Sequence, residues 1–112
     1  MCIYLYPDLK QMASIAVTLT EDRLQRAAYV LKAVAHPVRI AIIDLLKQKE
    51  EISVGEISET LETEQSLISH HLIKMRDKGI LDIRREGRNI YYHLTDDTIT
   101  NIIGCINSCK SF

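Results

Sequence analysis

The side chains best suited to chemistry in this 112-residue chain are concentrated in one stretch, residues 65–88. It contains eight candidate site residues with polar or basic side chains: Gln65, Ser66, Ser69, His70, Lys74, Arg84, Arg85 and Arg88. Small polar side chains can approach base edges closely and form hydrogen bonds with them, while lysine and arginine can neutralise phosphate groups. This combination favours nucleic-acid recognition, and the surrounding sequence predicts the elements that would position it.

Charge is distributed unevenly along the chain, although the formal net charge is only −1. Residues 40–65 contain seven acidic residues and two lysines. Residues 66–92 contain six basic residues and three acidic ones. A local basic surface is expected for a protein of which one face meets phosphate, whereas the small net charge argues against non-specific coating of nucleic acid.

The first group of candidates is predicted to lie on one amphipathic helix, which Thr63 can cap and which runs to Lys78. At 100° per residue, Ile68 is at the centre of the apolar face, with Leu72 and Met75 beside it. The opposite face carries Ser66, Ser69, His70, Ile73 and Asp77. Taken alone, such a face is as consistent with ordinary solvation as with contact to base edges.

A predicted β-hairpin after this helix favours the DNA-binding interpretation. Gly79 stands where a left-handed residue would end the helix, and residues 80–83 and 89–93 alternate as strands around a Glu86-Gly87 turn. Three arginines flank that turn, where they can reach phosphates or the minor groove: Arg84, Arg85 and Arg88. A helix followed by a basic hairpin is typical of a winged helix-turn-helix, which places the helix in the DNA major groove.

The remaining sequence predicts a small α+β domain that is mostly α, with about five helices and one β-hairpin wing. Further helices are expected from Thr20, over residues 36–48 and from the Ser53-x-x-Glu56 capping box, and Ile52 can add a single bridging strand. A last helix, capped by Thr95 and Asp96, has an apolar stripe of Ile99, Ile102, Ile103 and Ile106. Residues 20–112 are assigned to this domain, and residues 1–19 to an N-terminal arm or extra helix.

Four segments in this order resemble the arsenic-repressor (ArsR/SmtB) family of dimeric winged-helix repressors. They are AHPVR at residues 35–39, QSLISHHL at 65–72, GIL at 79–81 and RREGRNIYYHL at 84–94. Each segment alone would be a weak signal, but their combination is specific, and the resemblance covers about residues 20–110. It implies a sequence-specific transcriptional repressor that binds an inverted-repeat operator in double-stranded DNA as a homodimer.

The resemblance also implies roles for individual residues. DNA contacts carry over to Gln65, Ser66, Ser69 and His70, and wing contacts carry over to Arg84, Arg85 and Arg88. His71, beside Leu72, is instead expected at the rim of the core. The first and last helices are expected to form the dimer interface, because the isoleucine stripe of the last helix is too apolar to face water and the other elements already supply the core.

Members of this family usually release DNA when they bind a metal or are oxidised, and two of their metal sites have no counterpart here. A Cys-x-Cys-type motif is absent from the third predicted helix, residues 53–61. The second site, between paired last helices, keeps Asp96 but has Thr98, Cys109 and Phe112 at the other ligand positions. One matching ligand in four does not support a zinc site of that kind.

The cysteines leave three interpretations open, so no cofactor is certain. Cys105 and Cys109 are four residues apart on one side of the last helix, and Cys2 lies on the arm. Thiolates suit a soft metal or metalloid ion, such as trivalent arsenic, copper(I) or cadmium, or reversible oxidation. Alternatively, Cys105 is a small packed residue and Cys109 an unreactive thiol. Redox-sensing relatives pair a cysteine of the second helix with one of the last, and residues 36–48 contain none.

Other functions have less support in the sequence. His70, His71 and His93 could indicate acid–base chemistry, but no carboxylate stands at a useful spacing and there is no glycine-rich phosphate loop, so an enzyme is not predicted. A regulator without an inducer and a winged helix used only for protein contacts are the alternatives. No apolar run reaches the roughly 18 residues of a membrane span, and a cytoplasmic location without membrane contact is predicted.

Overall fold

A computed structural model describes residues 19–96 and 98–109 of the chain. These residues form five helices and three strands: α1 (Glu21–Val34), α2 (Pro37–Lys49), β1 (Glu51–Ser53), α3 (Val54–Leu61), α4 (Gln65–Asp77), β2 (Leu81–Glu86), β3 (Asn89–Leu94) and α5 (Thr98–Ser108). The predicted α+β fold, with about five helices and one hairpin wing, is thereby confirmed. The predicted arm at residues 1–19 lies, apart from Leu19, outside the described residues, and so does Cys2.

The chain divides into two compact units, residues 1–32 and 33–112. The described part of the first unit is most of α1. Its start near Thr20 is as predicted, because the Thr20 hydroxyl accepts a hydrogen bond from the backbone N–H of Arg23 at 3.3 Å. None of the helices within residues 19–96 and 98–109 is long and apolar enough to cross a membrane.

The three strands of the second unit form one antiparallel sheet in the order β1-β3-β2. The β2–β3 hairpin is paired up to Glu86 and Asn89, which leaves Gly87 and Arg88 as a two-residue loop. The strand predicted over residues 80–83 is therefore too short, and the turn lies one residue later than the predicted Glu86-Gly87. Gly87 has a φ of +62°, a left-handed conformation that glycine adopts without steric cost. The three-residue β1 pairs with the other edge of β3, so the bridging strand predicted at Ile52 is confirmed.

Both α2 and α3 begin at a side-chain cap. His36 Nδ1 accepts a hydrogen bond from the backbone N–H of Val38 at 3.1 Å, and Pro37 occupies the first turn of α2, where its missing N–H costs nothing. Ser53 Oγ accepts a hydrogen bond from the backbone N–H of Glu56 at 3.3 Å. The predicted serine cap of α3 is therefore confirmed.

The turn between α3 and α4 differs from the prediction, since Thr63 does not cap α4. The capping position is Glu64, whose side chain makes no capping hydrogen bond. Thr63 instead closes α3, because its backbone N–H donates to the Ser58 carbonyl at 3.1 Å and its hydroxyl donates to the Leu61 carbonyl at 3.0 Å. The left-handed conformation of Glu62, with a φ of +50°, turns the chain back over the end of α3 and engages Thr63 there.

α4 ends in a Schellman motif, one residue before the predicted end at Lys78. The backbone N–H of Gly79 donates to the Arg76 carbonyl at 2.9 Å, and that of Ile80 donates to the Met75 carbonyl at 3.0 Å. Gly79 has a φ of +82°, which a residue with a side chain would adopt only under strain. The predicted glycine stop is confirmed.

One hydrophobic core holds α2 to α5 and the sheet together. Its largest fully buried side chains are Ile42, Ile43, Leu46, Ile52, Ile57, Ile68, Leu72, Met75 and Leu81. α2 is central to this core, because it packs against α3, α4, α5 and the sheet. The three residues predicted for the apolar face of α4 are all fully buried, so the predicted orientation of that helix is confirmed.

The isoleucine stripe of α5 is divided between two environments, so the prediction that it faces outward as a whole is wrong. Ile99 and Ile103 are 7% and 8% exposed and belong to the core, since α5 packs against α2. Ile102 and Ile106 are 36% and 46% exposed. A stripe at positions i, i+3, i+4 and i+7 is wider than one line of packing contacts, so α2 covers one half and leaves the other half open.

A part-buried polar contact joins α2 to α4. His71 on α4 is only 5% exposed, and its Nδ1 accepts a hydrogen bond from Arg39 Nε at 3.1 Å. Arg39 Nη1 also donates to the Ala33 carbonyl at 2.9 Å, and the centroids of the His36 and His71 rings are 4.4 Å apart. The expected rim-of-core position of His71 is confirmed, and its acceptor nitrogen has a partner.

We expect the free energy of unfolding to fall as the pH is lowered from neutrality. Burial lowers the pKa of His71, and its electrostatic interactions with the neighbouring His36 and Arg39 side chains lower it further. Because the folded pKa lies below the ordinary value of 6.5, the unfolded chain takes up this proton first. The contribution of His71 to the free energy of unfolding is therefore fully present above pH 6.5, and it is lost as the pH falls through the pKa of His71 in the folded protein.

Urea unfolding at a series of pH values, with an NMR titration of the His71 ring, measures this dependence. His71→Gln should flatten the pH profile of stability, since glutamine does not titrate. His70→Gln is the matched control, because it removes an exposed imidazole from the neighbouring position of the same helix. A His71 pKa at or above the ordinary range in the folded protein would contradict the expectation.

Candidate nucleic-acid interface

The outward face of α4 carries the polar residues singled out in the sequence. Gln65, Ser66, His70 and Lys74 are exposed, and Ser69 is half-buried. All five lie within the first ten of the 13 residues of α4. In helix-turn-helix proteins the N-terminal residues of the second helix contact base edges. The structure therefore brings the predicted readout residues together on the part of α4 suited to that contact.

Ile73 adds an apolar side chain to this polar face. It is 53% exposed and lies one turn beyond Ser69 and His70. In a DNA groove, an exposed aliphatic side chain can contact the methyl group of thymine. The face thus combines hydrogen-bonding groups with one apolar contact surface.

The orientation of α4 is set by contacts on its other side. Its buried face packs against α2, α3 and β2. At the turn that precedes it, Ser58 Oγ donates a hydrogen bond to the Thr63 carbonyl at 2.5 Å. The Arg39–His71 hydrogen bond adds a polar tie to α2. This role of Arg39 was not predicted from the sequence, although Arg39 lies within the AHPVR segment.

Two of the three predicted wing arginines form no ion pair with another described residue. Arg85 and Arg88 are exposed, and neither forms an ion pair within the described part of the chain. Arg88 lies in the loop of the hairpin and Arg85 on β2. Both are therefore placed and charged for contact with phosphate.

Arg84 has different surroundings from the other two arginines. Its guanidinium bonds to Glu51 on β1, with a shortest distance of 2.7 Å, and to Glu86 at 2.8 Å. Its Cζ lies 5.0 Å from the ring centroid of Tyr91. The hydrogen bond from Arg84 lowers the pKa of Glu51, and the two carboxylates raise the pKa of Arg84. The three arginines look equivalent in the sequence, and Glu51 was not predicted as a partner because no local pattern marks it.

The cysteines within the described residues lie on or beside α5. Cys105 and Cys109 are exposed, and they do not form a disulfide bond with each other. Residues 19–96 and 98–109 contain no group of three or more histidine, cysteine, aspartate or glutamate side chains that could hold a metal ion. Cys2 lies outside the described residues, so the structure does not test a site that includes all three thiols.

The sequence of the helix-turn-helix matches a known family. Residues 36–82, from the cap of α2 to the second residue of β2, match the sequence model described as bacterial regulatory protein, arsR family. The matched range includes all of α2, α3 and α4, which are the elements that bury and orient the polar face described above.

Two relatives are similar to this chain over most of their length. The biofilm growth-associated repressor of Agrobacterium fabrum is 36% identical over 92 residues, which cover 82% of this chain and 78% of that protein. The transcriptional repressor PagR of Bacillus anthracis is 37% identical over 84 residues, which cover 75% of this chain and 84% of that protein.

Solved structures of relatives have the same fold. The crystal structure of PagR matches with a TM-score of 0.70 and 36% identity, over 77% of this chain and 98% of that chain. The structure of HlyU from Vibrio cholerae matches with a TM-score of 0.73 and 31% identity, over 83% of this chain and 100% of that chain. This chain belongs to the arsR family of bacterial regulatory proteins and is a winged helix-turn-helix transcriptional regulator.

Proposed function

We propose that this protein is a transcriptional repressor that binds an inverted-repeat operator in double-stranded DNA as a homodimer. The observation that carries the proposal is the amphipathic division of α4. Its apolar side is fully buried, and its small polar side is exposed next to a hairpin with free arginines. The repressor activity is supported by the names of the Agrobacterium and Bacillus relatives, whereas the Vibrio cholerae relative HlyU is named a transcriptional activator.

The two groups of residues have different parts in the proposed complex. Ser66, Ser69 and His70 carry base readout, because their short side chains allow α4 to approach base edges. Phosphate contacts come from the remaining candidates on α4 and from the free arginines of the wing: Gln65, Lys74, Arg85 and Arg88. Phosphate contacts fix the register of the protein on the duplex, and readout by α4 then provides the sequence preference.

We expect Ser69→Ala and His70→Ala each to cost roughly 1–3 kcal/mol of binding free energy on operator DNA. Binding to random duplex should change little, because phosphate contacts are retained. The operator is obtained by selection from a random duplex pool, or from the region upstream of the protein's own gene, and affinities are measured by mobility shift. Equal losses on operator and random DNA would remove these residues from base readout.

Lys74→Ala is the matched control on the same helix. It should weaken binding to operator and random duplex alike, and lower the slope of log affinity against log salt by roughly 0.9 for each phosphate that is no longer neutralised. The wild-type salt series also tests the competing function, a winged helix used only for protein contacts. Affinity for duplex that is weak and insensitive to salt would favour that alternative.

The proposed homodimer uses the open half of the α5 stripe. Ile102 and Ile106 are exposed one turn apart, and burial of an aliphatic side chain is worth roughly 1.5–3 kcal/mol. A two-fold interface would double that gain, since each protomer contributes the same patch. A dimer would also place two α4 helices at a fixed spacing, as two half-sites on one face of DNA require.

We expect the double variant Ile102→Glu, Ile106→Glu to be monomeric or aggregated, because two buried carboxylates would have no partners in the interface. Sedimentation equilibrium of wild type and variant measures the assembly. Ile73→Glu is the control, since it makes the same substitution once, at an exposed isoleucine of α4 outside the proposed interface, and should leave the dimer intact. A double variant that stays a soluble dimer would rule out this interface.

An inducer, where one acts, is proposed to bind or oxidise Cys105 and Cys109, alone or with Cys2. The two exposed thiols lie on or beside the helix that carries the open isoleucines, so chemistry there can alter the proposed interface and thereby the spacing of the two reading helices. Soft ions held by thiolates should bind more tightly as the pH rises.

Titration of trivalent arsenic, cadmium and copper(I), and of peroxide and persulfide, against the DNA-bound protein tests the thiol proposal. Wild type should release DNA with at least one of these reagents, and the Cys105→Ser, Cys109→Ser double variant should not. An identical response of both proteins, or none by either, would mean that Cys105 and Cys109 are structural.

A further inference from the structure

Arg84 is a basic wing residue whose guanidinium, although exposed, is paired with two carboxylates of the protein itself. Its Nε lies 3.1 Å from Glu51 Oε1 and 3.0 Å from Glu51 Oε2, and its Nη2 lies 2.7 Å from Glu51 Oε1. Nη1 donates to Glu86 Oε2 at 2.8 Å. A guanidinium bound to a carboxylate through two nitrogens is fixed in orientation as well as in position.

The register of the sheet explains why Arg84 has these neighbours. Tyr91 on the central strand β3 pairs with Arg84 on one side and with Ser53 on the other. Alternate residues share a face, so Arg84, Tyr91, Glu86 and Glu51 project from the same face of the sheet. Arg84 therefore reaches across β3, over the Tyr91 ring, to a carboxylate on the opposite edge strand.

The same alternation sends Arg85 to the other face of the hairpin. Arg85 shares its face with Ile83 and Leu81, and β2 packs against α4 on that side. The adjacent arginines thus have different environments. The charge of Arg84 is balanced by two carboxylates, whereas Arg85 has no ion pair among the described residues.

The charges around Arg84 make it a poor phosphate ligand. Glu51, Arg84 and Glu86 together carry a net charge of −1 when all three are ionised. To contact phosphate, Arg84 would have to leave both carboxylates close to the DNA backbone, where they would repel it. Arg85 and Arg88 can neutralise phosphate without that cost.

Glu51, the ion-pair partner of Arg84, is well placed to orient the wing. Glu51 opens β1, and β1 is followed directly by α3, whose cap is Ser53. The bridge therefore connects β2 of the wing to the segment that leads into the helix-turn-helix. Backbone pairing alone joins β1 to β3 over only three residues, so a side-chain bond across the whole sheet limits the tilt of the hairpin.

We propose that Arg84 is a positioning residue, which fixes the wing against β1 through Glu51 and stays in this bridge when DNA is bound. The proposal rests on the proposed DNA-binding function and deepens it, because it assigns the phosphate contacts of the wing to Arg85 and Arg88 alone. The opposite behaviour would be a latch, in which DNA displaces Glu51 and recruits Arg84 to phosphate.

Three single variants distinguish the positioning role from the latch. Their affinity is measured on a mixed-sequence duplex of about 30 base pairs, which offers phosphate at every register. Positioning predicts that Glu51→Gln, Glu51→Asp and Arg84→Lys each weaken binding by roughly three- to tenfold, because each breaks the two-nitrogen contact. The Glu51→Gln, Arg84→Lys double variant should be no weaker than either single variant. Arg85→Gln and Arg88→Gln should each lower the salt slope by roughly 0.9 for each phosphate that the arginine neutralises.

The latch predicts the reverse pattern. Glu51→Gln and Glu51→Asp would tighten binding by freeing Arg84, and Arg84→Lys would bind like wild type, since lysine also binds phosphate as a point charge. Tightening by Glu51→Gln with no change for Glu51→Asp would mean that only long-range charge matters. Either result overturns the positioning role.

The Nε–Hε NMR signal of Arg84 reports the bridge directly in the wild-type protein. It should keep its chemical shift when duplex is added, while the signals of Arg85 and Arg88 move. A change in the chemical shift of Arg84 on binding would overturn the proposal. Thermal unfolding of the free variants checks that α4 and the core remain folded. If the wild-type protein binds no duplex at all, the proposed DNA-binding function is overturned. If wild type binds but the variants change the affinity in the direction that the latch predicts, only the positioning role is overturned.

Discussion

The orientation of the whole reading surface depends on the burial of one apolar stripe of α4. Ile68, Leu72 and Met75 are fully buried, and each such side chain contributes roughly 1.5–3 kcal/mol on burial. A rotation of α4 by one residue, 100°, would expose part of this stripe and turn Ser69 and His70 toward an apolar environment without partners. The stripe therefore decides which side chains face outward, although none of its own atoms can reach a ligand on that side.

Features of the fold with local signals could be predicted from the sequence, and those that depend on a neighbour could not. The periodicity of α4, the glycine stop at Gly79 and the glycine of the hairpin turn are all local, although the turn itself lies one residue later than predicted. Thr63 stands between two helices and suits the end of one as well as the start of the next, so its role depended on the left-handed turn at Glu62. The α5 pattern gives an apolar stripe, but only packing against α2 decides that Ile103 is covered and Ile106 is not.

The same distinction applies to the candidate site, where the residue types could be predicted from the sequence but their interaction partners could not. The residue types predicted a basic, hydrogen-bonding surface, and the structure places the α4 members of that set on one face. The partners of Arg39 and Arg84 are 32 and 33 residues away in the chain, and no periodicity relates residues so far apart. Glu51 becomes the partner of Arg84 only through the pairing of a three-residue strand, which leaves almost no pattern in the sequence.

Strand geometry limits how much of its charge a basic wing can offer to a ligand. Successive side chains of a strand project from opposite faces, so Arg84 and Arg85 cannot both point to one phosphate surface. Here the face of Arg84 also receives Glu51 and Glu86, which balance its charge within the sheet. The acid-rich segment at residues 40–65 thus supplies a carboxylate to the basic segment that follows it. Consecutive arginines are consequently not equivalent, and a count of basic residues in the hairpin overstates the positive charge that DNA would meet.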